Sequence, residues 1–146
     1  MVATRVGQHV TWFLPKPWRW ADPQGHVWHD GGAEANGEGP YASGLPIETP
    51  GIALPNNGDS LGGYWHVLMP RMNIEMVVRQ VDVGPNKPVI DLSAPLAFLL
   101  FTTPGDVPDY TPWSAEFIGH ELSPDVRAGI TNTRTHAFIP LYQEAA

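Results

Sequence analysis

The sequence contains no cysteine. That excludes disulfides, thiolate catalysis and any cysteine-based zinc site, although it leaves the compartment open. Charge is also scarce. Only 16% of residues are Asp, Glu, Lys or Arg, against about a quarter in an ordinary soluble chain. The eight basic residues are scattered singly against fifteen acidic ones, for a net charge of −7 and a pI near 5.1. Nucleic acids and anionic membrane surfaces are held by clustered Lys and Arg, so neither is an expected partner. No segment approaches the roughly 18 apolar residues of a membrane span. The first residues, MVATRVGQHVTWFLPKPW, hold no apolar stretch long enough for a signal peptide. Action outside the cytoplasm is therefore expected to need a trimmed signal (periplasmic or extracellular) or delivery on a virion.

Turn-forming residues are abundant instead. Fifteen Gly and sixteen Pro in 146 residues leave little room for long helices and suit short strands joined by turns, in one domain with one core. QHVTWF (8–13) predicts a first strand. The stretch 14–50 is dense in Pro, Gly and Trp without a sustained period, which predicts a functional or wrapping loop. GIAL (51–54) and YWHVLM (64–69) predict strands, the latter with Trp65, Val67 and Met69 on one face. In NIEMVVRQV (73–81), Ile74, Met76 and Val78 alternate with Glu75, Val77 and Arg79. VIDL (89–92) is a short strand, and SAPLAFLLF (93–101) a helix capped by Ser93 with Pro95 in its first turn. TPWSAEFIGHEL (111–122) predicts a second short helix, with Thr111 as cap and Pro112 at its first position. VRAGIT and THAFIPLY predict a closing hairpin around Asn132.

Two aspartates stand out. Asp82 ends the strand VVRQVDV before a Gly-Pro turn, and Asp91 lies between Ile90 and Leu92. Carboxylates so placed can form a reaction pair. They can equally be polar plugs in a small barrel, bonding loop amides or capping the following helix.

The order of motifs resembles a known family. A TWF strand is followed by YASG (41–44), an ALP turn (53–55), VVRQVDVGP (77–85) and VIDLS (89–93) leading into an apolar helix. Over residues 8 to 101 this resembles the rare lipoprotein A family, related to the expansins and to membrane-bound lytic transglycosylase A. The pairing of D-x-G-P with IDLS is the most specific part. The resemblance implies a mainly β protein: a six-stranded double-psi β-barrel with short helices and a C-terminal extension. Its domain would span 1–103, including the Trp/Pro/Gly-rich loop 14–50. Residues 104–146 would form the extension, packing on the barrel or on a partner. It also implies that Asp82 and Asp91 face a groove at the barrel end, with Gly84 permitting a sharp bend.

The family cleaves or loosens cell-wall glycans. A lytic transglycosylase protonates the glycosidic oxygen with one carboxylic acid, which then takes a proton from the sugar's 6-hydroxyl as the anhydro ring closes. Such an acid needs a pKa well above that of a free aspartate, raised by burial or a second carboxylate. The resemblance gives Asp82 and Asp91 as the catalytic candidates and Tyr41 and Ser43 as substrate-binding ones. The family's Glu after the TASG tetrad is replaced here by Leu45, and its His before the turn by the segment Gly51-Ile52-Ala53. Glu48 is a candidate replacement carboxylate. With those partners missing, binding without cleavage stays open.

Tryptophan adds to the binding reading, because indole stacks on the C–H faces of sugars. Trp18, Trp20 and Trp28 lie in the irregular stretch and are candidate platforms, whereas Trp12, Trp65 and Trp113 lie in expected strands or helices and read as core. His26, His29 and Asp30 form an H-x-x-H-D stretch without the helical H-E-x-x-H geometry, so it reads as solvated loop rather than metal site. His120 and His136 read as structural. No phosphate loop and no G-x-S-x-G occur, and no cofactor or metal is expected. The expected partner is peptidoglycan glycan strands. The alternative is a non-enzymatic component of a phage or phage-like particle that contacts other particle subunits through the same barrel.

Overall fold

In the computed structural model, alternation along the strands builds one wall of a curled sheet. The structure describes residues 4–14, 19–29, 41–46, 48–55, 59–84, 87–101, 103–108 and 110–142, with backbone alone at 19 and 29. Eleven strands form among them: β1 (Thr4–Gly7), β2 (His9–Phe13), β3 (Arg19–Ala21), β4 (Val27–His29), β5 (Ile52–Leu54), β6 (Tyr64–Met69), β7 (Ile74–Val83), β8 (Val89–Ser93), β9 (Trp113–Gly119), β10 (Gly129–Asn132) and β11 (Phe138–Pro140). One α-helix, α1 (Ala94–Leu100), follows β8 directly. The mainly β expectation holds, but with more strands than six. No helix among the described residues is long and apolar enough to cross a membrane.

The main sheet has nine strands, ordered β1-β9-β6-β7-β5-β8-β2, with β10 also on β7 and β11 on β10. It curls as a half-barrel. The end strands β1 and β2 are separated in sequence by Gln8 alone. Trp65, Val67 and Met69 of β6 and Met76 and Val78 of β7 are buried on the inner face, as their period of two predicts. Ile52, Leu54, Ile90 and Leu92 join them, and Leu96 and Ala97 of α1 pack onto the same core. Each large apolar side chain so buried contributes roughly 1.5–3 kcal/mol.

Three local expectations change. The segment 111–122 is the strand β9, not a helix. Trp113 and Ala115 are buried while Ser114 and Glu116 lie on the other face, and β9 bonds to β1 on one side and β6 on the other. Two ladders of backbone hydrogen bonds outweigh the local helix-start signal of Thr111-Pro112. The stretch 14–50 is not wholly irregular, because β3 and β4 pair as an antiparallel hairpin. Asp22 holds its turn: Oδ1 accepts from the N–H of Gln24 (2.8 Å) and His26 (3.0 Å), and Oδ2 accepts from Trp28 Nε1 (3.0 Å). Burial alone would raise the Asp22 pKa, but these hydrogen bonds hold it below the ordinary value. Finally, Ser93 sits at the N-cap of α1 without capping it through its side chain. Its Oγ instead accepts from Gly51 N–H at 2.9 Å.

The expected closing hairpin is present as β10 and β11, with Asn132 Oδ1 accepting from the N–H groups of Arg134 and Thr135 at 2.9 Å. Residues 104–146 thus supply three strands to the main sheet.

The feature that positions the site is β5. It runs parallel to β7 and antiparallel to β8, and lies between them. β7 and β8 therefore lie two strand spacings apart, about 9–10 Å. Gly84 serves the path between them by close approach: an added Cβ would lie 3.2 Å from the Ala53 carbonyl, and its N–H donates to Leu54 O at 2.8 Å. Gly51 is tighter still. A Cβ there would lie 2.3 Å from Val81 Cγ1 and 2.8 Å from Arg79 O. Gly51→Ala is accordingly expected to destabilise the fold by about 1–3 kcal/mol through overpacking, read as a lowered urea midpoint at unchanged slope.

Candidate functional site

Strict alternation along β7 would send Asp82 to the same face as Gln80, which is fully buried in the core. It does not go there. Ile52 pairs with Gln80, but the next residue, Ala53, pairs with Asp82, so Val81 is an extra residue in β7. This β-bulge turns the end of the strand over and re-aims Asp82 to the outer face. Val81 stays buried against Gly51.

Ala53 pairs with Asp82 on one side and with Asp91 on the other. Asp91 in turn pairs with Thr11 of β2. Residues opposite one another share a face, so Thr11, Asp91, Ala53 and Asp82 form one row across four strands. The backbones of the two aspartates are about 9–10 Å apart, with Ala53 between them in the row. Thr11 Oγ1 donates to Asp91 Oδ1 at 2.9 Å. Burial pushes the Asp91 carboxyl up to about 6; the Thr11 hydrogen bond opposes this, and the negative charge of Asp82 adds to it. Asp82 is part-exposed, and its Oδ1 accepts from Val83 N–H at 2.8 Å.

The YASG turn docks beside this row. Ser43 N–H donates to Val81 O at 3.2 Å, and Gly44 closes the turn at φ +85° with its N–H on Tyr41 O. Ser43 Oγ accepts from Leu45 N–H at 3.2 Å, so the hydroxyl shapes the turn itself. Tyr41 is buried at 4% exposure, with its ring edge against Phe13. Its phenol is hydrogen-bonded to the Ser93 side chain. Burial, with the charges of Asp82 and Glu48, drives its pKa well above the ordinary value, a rise that the Ser93 bond opposes. Ser93 and Phe13 lie two residues along their strands from Asp91 and Thr11, so Tyr41 packs on the same face as the row. Glu48 is exposed, and its charge acts on Tyr41.

The other candidates lie elsewhere. Trp12 projects from β2 to the face opposite Thr11, and Trp28 packs edge-on against it at 5.7 Å. Trp20 packs on Phe98 of α1 at 5.8 Å. These two indoles clamp the β3–β4 hairpin to the body of the protein, away from the carboxylate row. Trp18 lies outside the described residues, as do Asp30 and the side chain of His29. The His26 ring packs on Trp28 at 4.7 Å, and no cluster of metal-binding side chains occurs among the described residues. Trp65 and Trp113 are core, as expected.

Sequence reasoning missed Thr11, Ala53 and Ser93 as parts of the site. The alternation H-V-T-W-F carried a signal for Thr11, being polar between two core-facing residues, but nothing local shows that β2 pairs with β8. Gln80 was missed as well. Its Oε1 accepts from Ser60 Oγ (2.8 Å) and Trp65 Nε1 (3.0 Å), and its Nε2 donates to Leu54 O (3.2 Å) and Asp82 O (3.3 Å). It ties the core to the backbone of both β5 and the aspartate end of β7.

No family model matches the chain, and neither does any curated protein or solved structure.

Proposed function

We infer that the protein binds peptidoglycan glycan strands across the Thr11–Asp91–Ala53–Asp82 row and cleaves them by lytic-transglycosylase chemistry. The observation that carries this reading is that row: two carboxylates brought into register by a β-bulge, one of them holding its proton to about pH 6. Asp91 is the acid. Its proton passes to the glycosidic oxygen as the C1–O bond breaks, and the departing sugar leaves with that oxygen as a hydroxyl. The Asp91 carboxylate then takes the proton of the 6-hydroxyl while that oxygen bonds to C1. No water is consumed, and Asp91 ends protonated as it began. Asp82 stabilises the positive charge that develops at C1 and keeps Asp91 protonated through their repulsion. Thr11 orients Asp91, and Tyr41 holds Ser93 beside the row.

The same topology supports the double-psi barrel. A strand inserted between two antiparallel neighbours, as β5 is between β7 and β8, is the psi arrangement. Taking β1 and β2 as one strand bent at Gln8, the sheet path runs through six strands.

The test is digestion of purified, peptide-stripped glycan strands, with products read by mass spectrometry and binding by co-sedimentation. Anhydro-sugar products from the wild type, lost in Asp91→Asn, are the expected result. Neither cleavage nor co-sedimentation would overturn the wall reading and leave the particle-component reading in its place.

A further inference from the structure

Two of the chain's few cations meet at one end of the sheet. Arg5 of β1 and Lys87, from the turn before β8, line a surface pocket of about 310 Å³ whose apolar wall is Leu54, Pro55, Pro88 and Trp113. Arg5 is oddly placed for an arginine. It pairs with Ala115 of β9, a core residue, so its side chain leaves the core-facing side of an edge strand. The carboxylate that β9 carries beside it, Glu116, pairs with Thr4 and faces the other way. The one ion pair among the described residues is His66–Glu75, so neither Arg5 nor Lys87 has a carboxylate partner there.

The wall is rigid before anything binds. Trp113 is 4% exposed, and its Nε1 donates to His9 O at 2.9 Å. Its ring fills the space that a side chain at Gly7 would need, since a Cβ there would lie 2.7 Å from it. A preformed wall adds little ordering cost on binding. An inward charge on an edge strand also deters strand pairing. That role needs Arg5 alone and accounts neither for Lys87 nor for a rigid apolar wall facing both.

We propose that this pocket binds the carboxylate of a small organic acid with an apolar body. Taking the wall-glycan reading as premise, that acid is the lactyl group that distinguishes N-acetylmuramic acid from N-acetylglucosamine. The Arg5 guanidinium offers a planar fork to a carboxylate, Lys87 supplies a second positive charge, and the accessible faces of Pro55 and Pro88, backed by buried Trp113, take the lactyl methyl. A net charge of −7 repels polyanions at long range, which selects a singly charged ligand over a phosphate polymer.

The test is calorimetric titration of the full chain at low salt with N-acetylmuramic acid, N-acetylglucosamine and lactate. The muramic acid is expected to bind saturably and the neutral sugar to bind at least about tenfold more weakly, with a similar loss in Arg5→Gln and in Lys87→Gln. Added salt weakens the interaction, and circular dichroism checks that both variants stay folded. Equal affinity for the two sugars, or an Arg5→Gln affinity like that of the wild type, would overturn the proposal. Lactate binding that needs Arg5 without muramic acid binding would overturn the sugar assignment. Glycan cleavage without muramic acid binding sinks this pocket alone, and muramic acid binding without glycan cleavage or co-sedimentation sinks the carboxylate-row reading alone.

Discussion

Asp91→Asn is expected to abolish glycan cleavage while making the protein more stable at pH 7.5. Removing a general acid costs about 10²–10⁴-fold in rate, so anhydro products should fall below detection. The stability gain follows from the same group. The Asp91 pKa is raised from the ordinary 3.8 to about 6 in the folded state, so between those values the folded protein binds more protons than the unfolded chain. Stability therefore falls as pH rises from about 4 through 6 and stays at the lower level above that. A shift of this size corresponds to at most about 3 kcal/mol, less for a group that is only part-buried. Asparagine carries no charge and can still accept the Thr11 hydrogen bond. The variant should thus gain about 1–2 kcal/mol at pH 7.5 and nothing at pH 4. Urea unfolding at both pH values checks this, and equal stability of the two proteins at pH 7.5 would remove the physical basis for Asp91 as acid. Asp82→Asn tests the coupling. Without that negative charge Asp91 loses its proton more easily, so the alkaline limb of the wild-type activity profile should move to lower pH.

Gln80→Met is expected to be the most destabilising single change. Methionine keeps the volume and flexibility of the side chain but offers no partner to Ser60 Oγ or Trp65 Nε1, and it leaves Leu54 O with the Gly84 N–H alone. Each buried polar group left unpaired costs about 1–3 kcal/mol. A loss of about 3–5 kcal/mol is expected, a large part of the roughly 5–15 kcal/mol that holds a domain together. Adding Ser60→Ala to Gln80→Met removes one orphaned group and should recover about 1 kcal/mol, a non-additivity characteristic of a shared network. A cost below about 1 kcal/mol for Gln80→Met alone would show that the amide does not anchor the core. Because Gln80 Nε2 also reaches Asp82 O, a Gln80 variant that still folds should cleave glycan more slowly.

Much of the fold was legible in local pattern. The alternation in 64–69 and 74–78 marked β6 and β7 and their buried faces, because a strand half in water must sort its residues by turns. The short apolar run before Pro104 marked α1, and the Asn132 turn marked the closing hairpin. The two aspartates could be singled out as polar residues in apolar company, and the family resemblance suggested a shared groove. Local pattern failed at 111–122, where Thr-Pro favours a helix start but a place between β1 and β6 makes a strand. It gave no sign of the packing of Trp20 on Phe98 or of Trp28 on Trp12.

The sequence by itself determined that this is a mainly β protein without thiol chemistry, with Asp82 and Asp91 as carboxylates in apolar company. It could not determine which way those carboxylates face or whether they meet. Alternation alone would send Asp82 inward beside Gln80. The bulge at Val81, made possible by Gly51 and Gly84 lying close against their neighbours, turns it outward, and β5 between β7 and β8 sets both aspartates against Ala53. Those relations depend on pairings between strands distant in sequence, and side-chain order along one strand carries no record of its partner's register. The raised pKa of Asp91 has the same origin, because burial and the charge of Asp82 reach it only once the sheet is assembled.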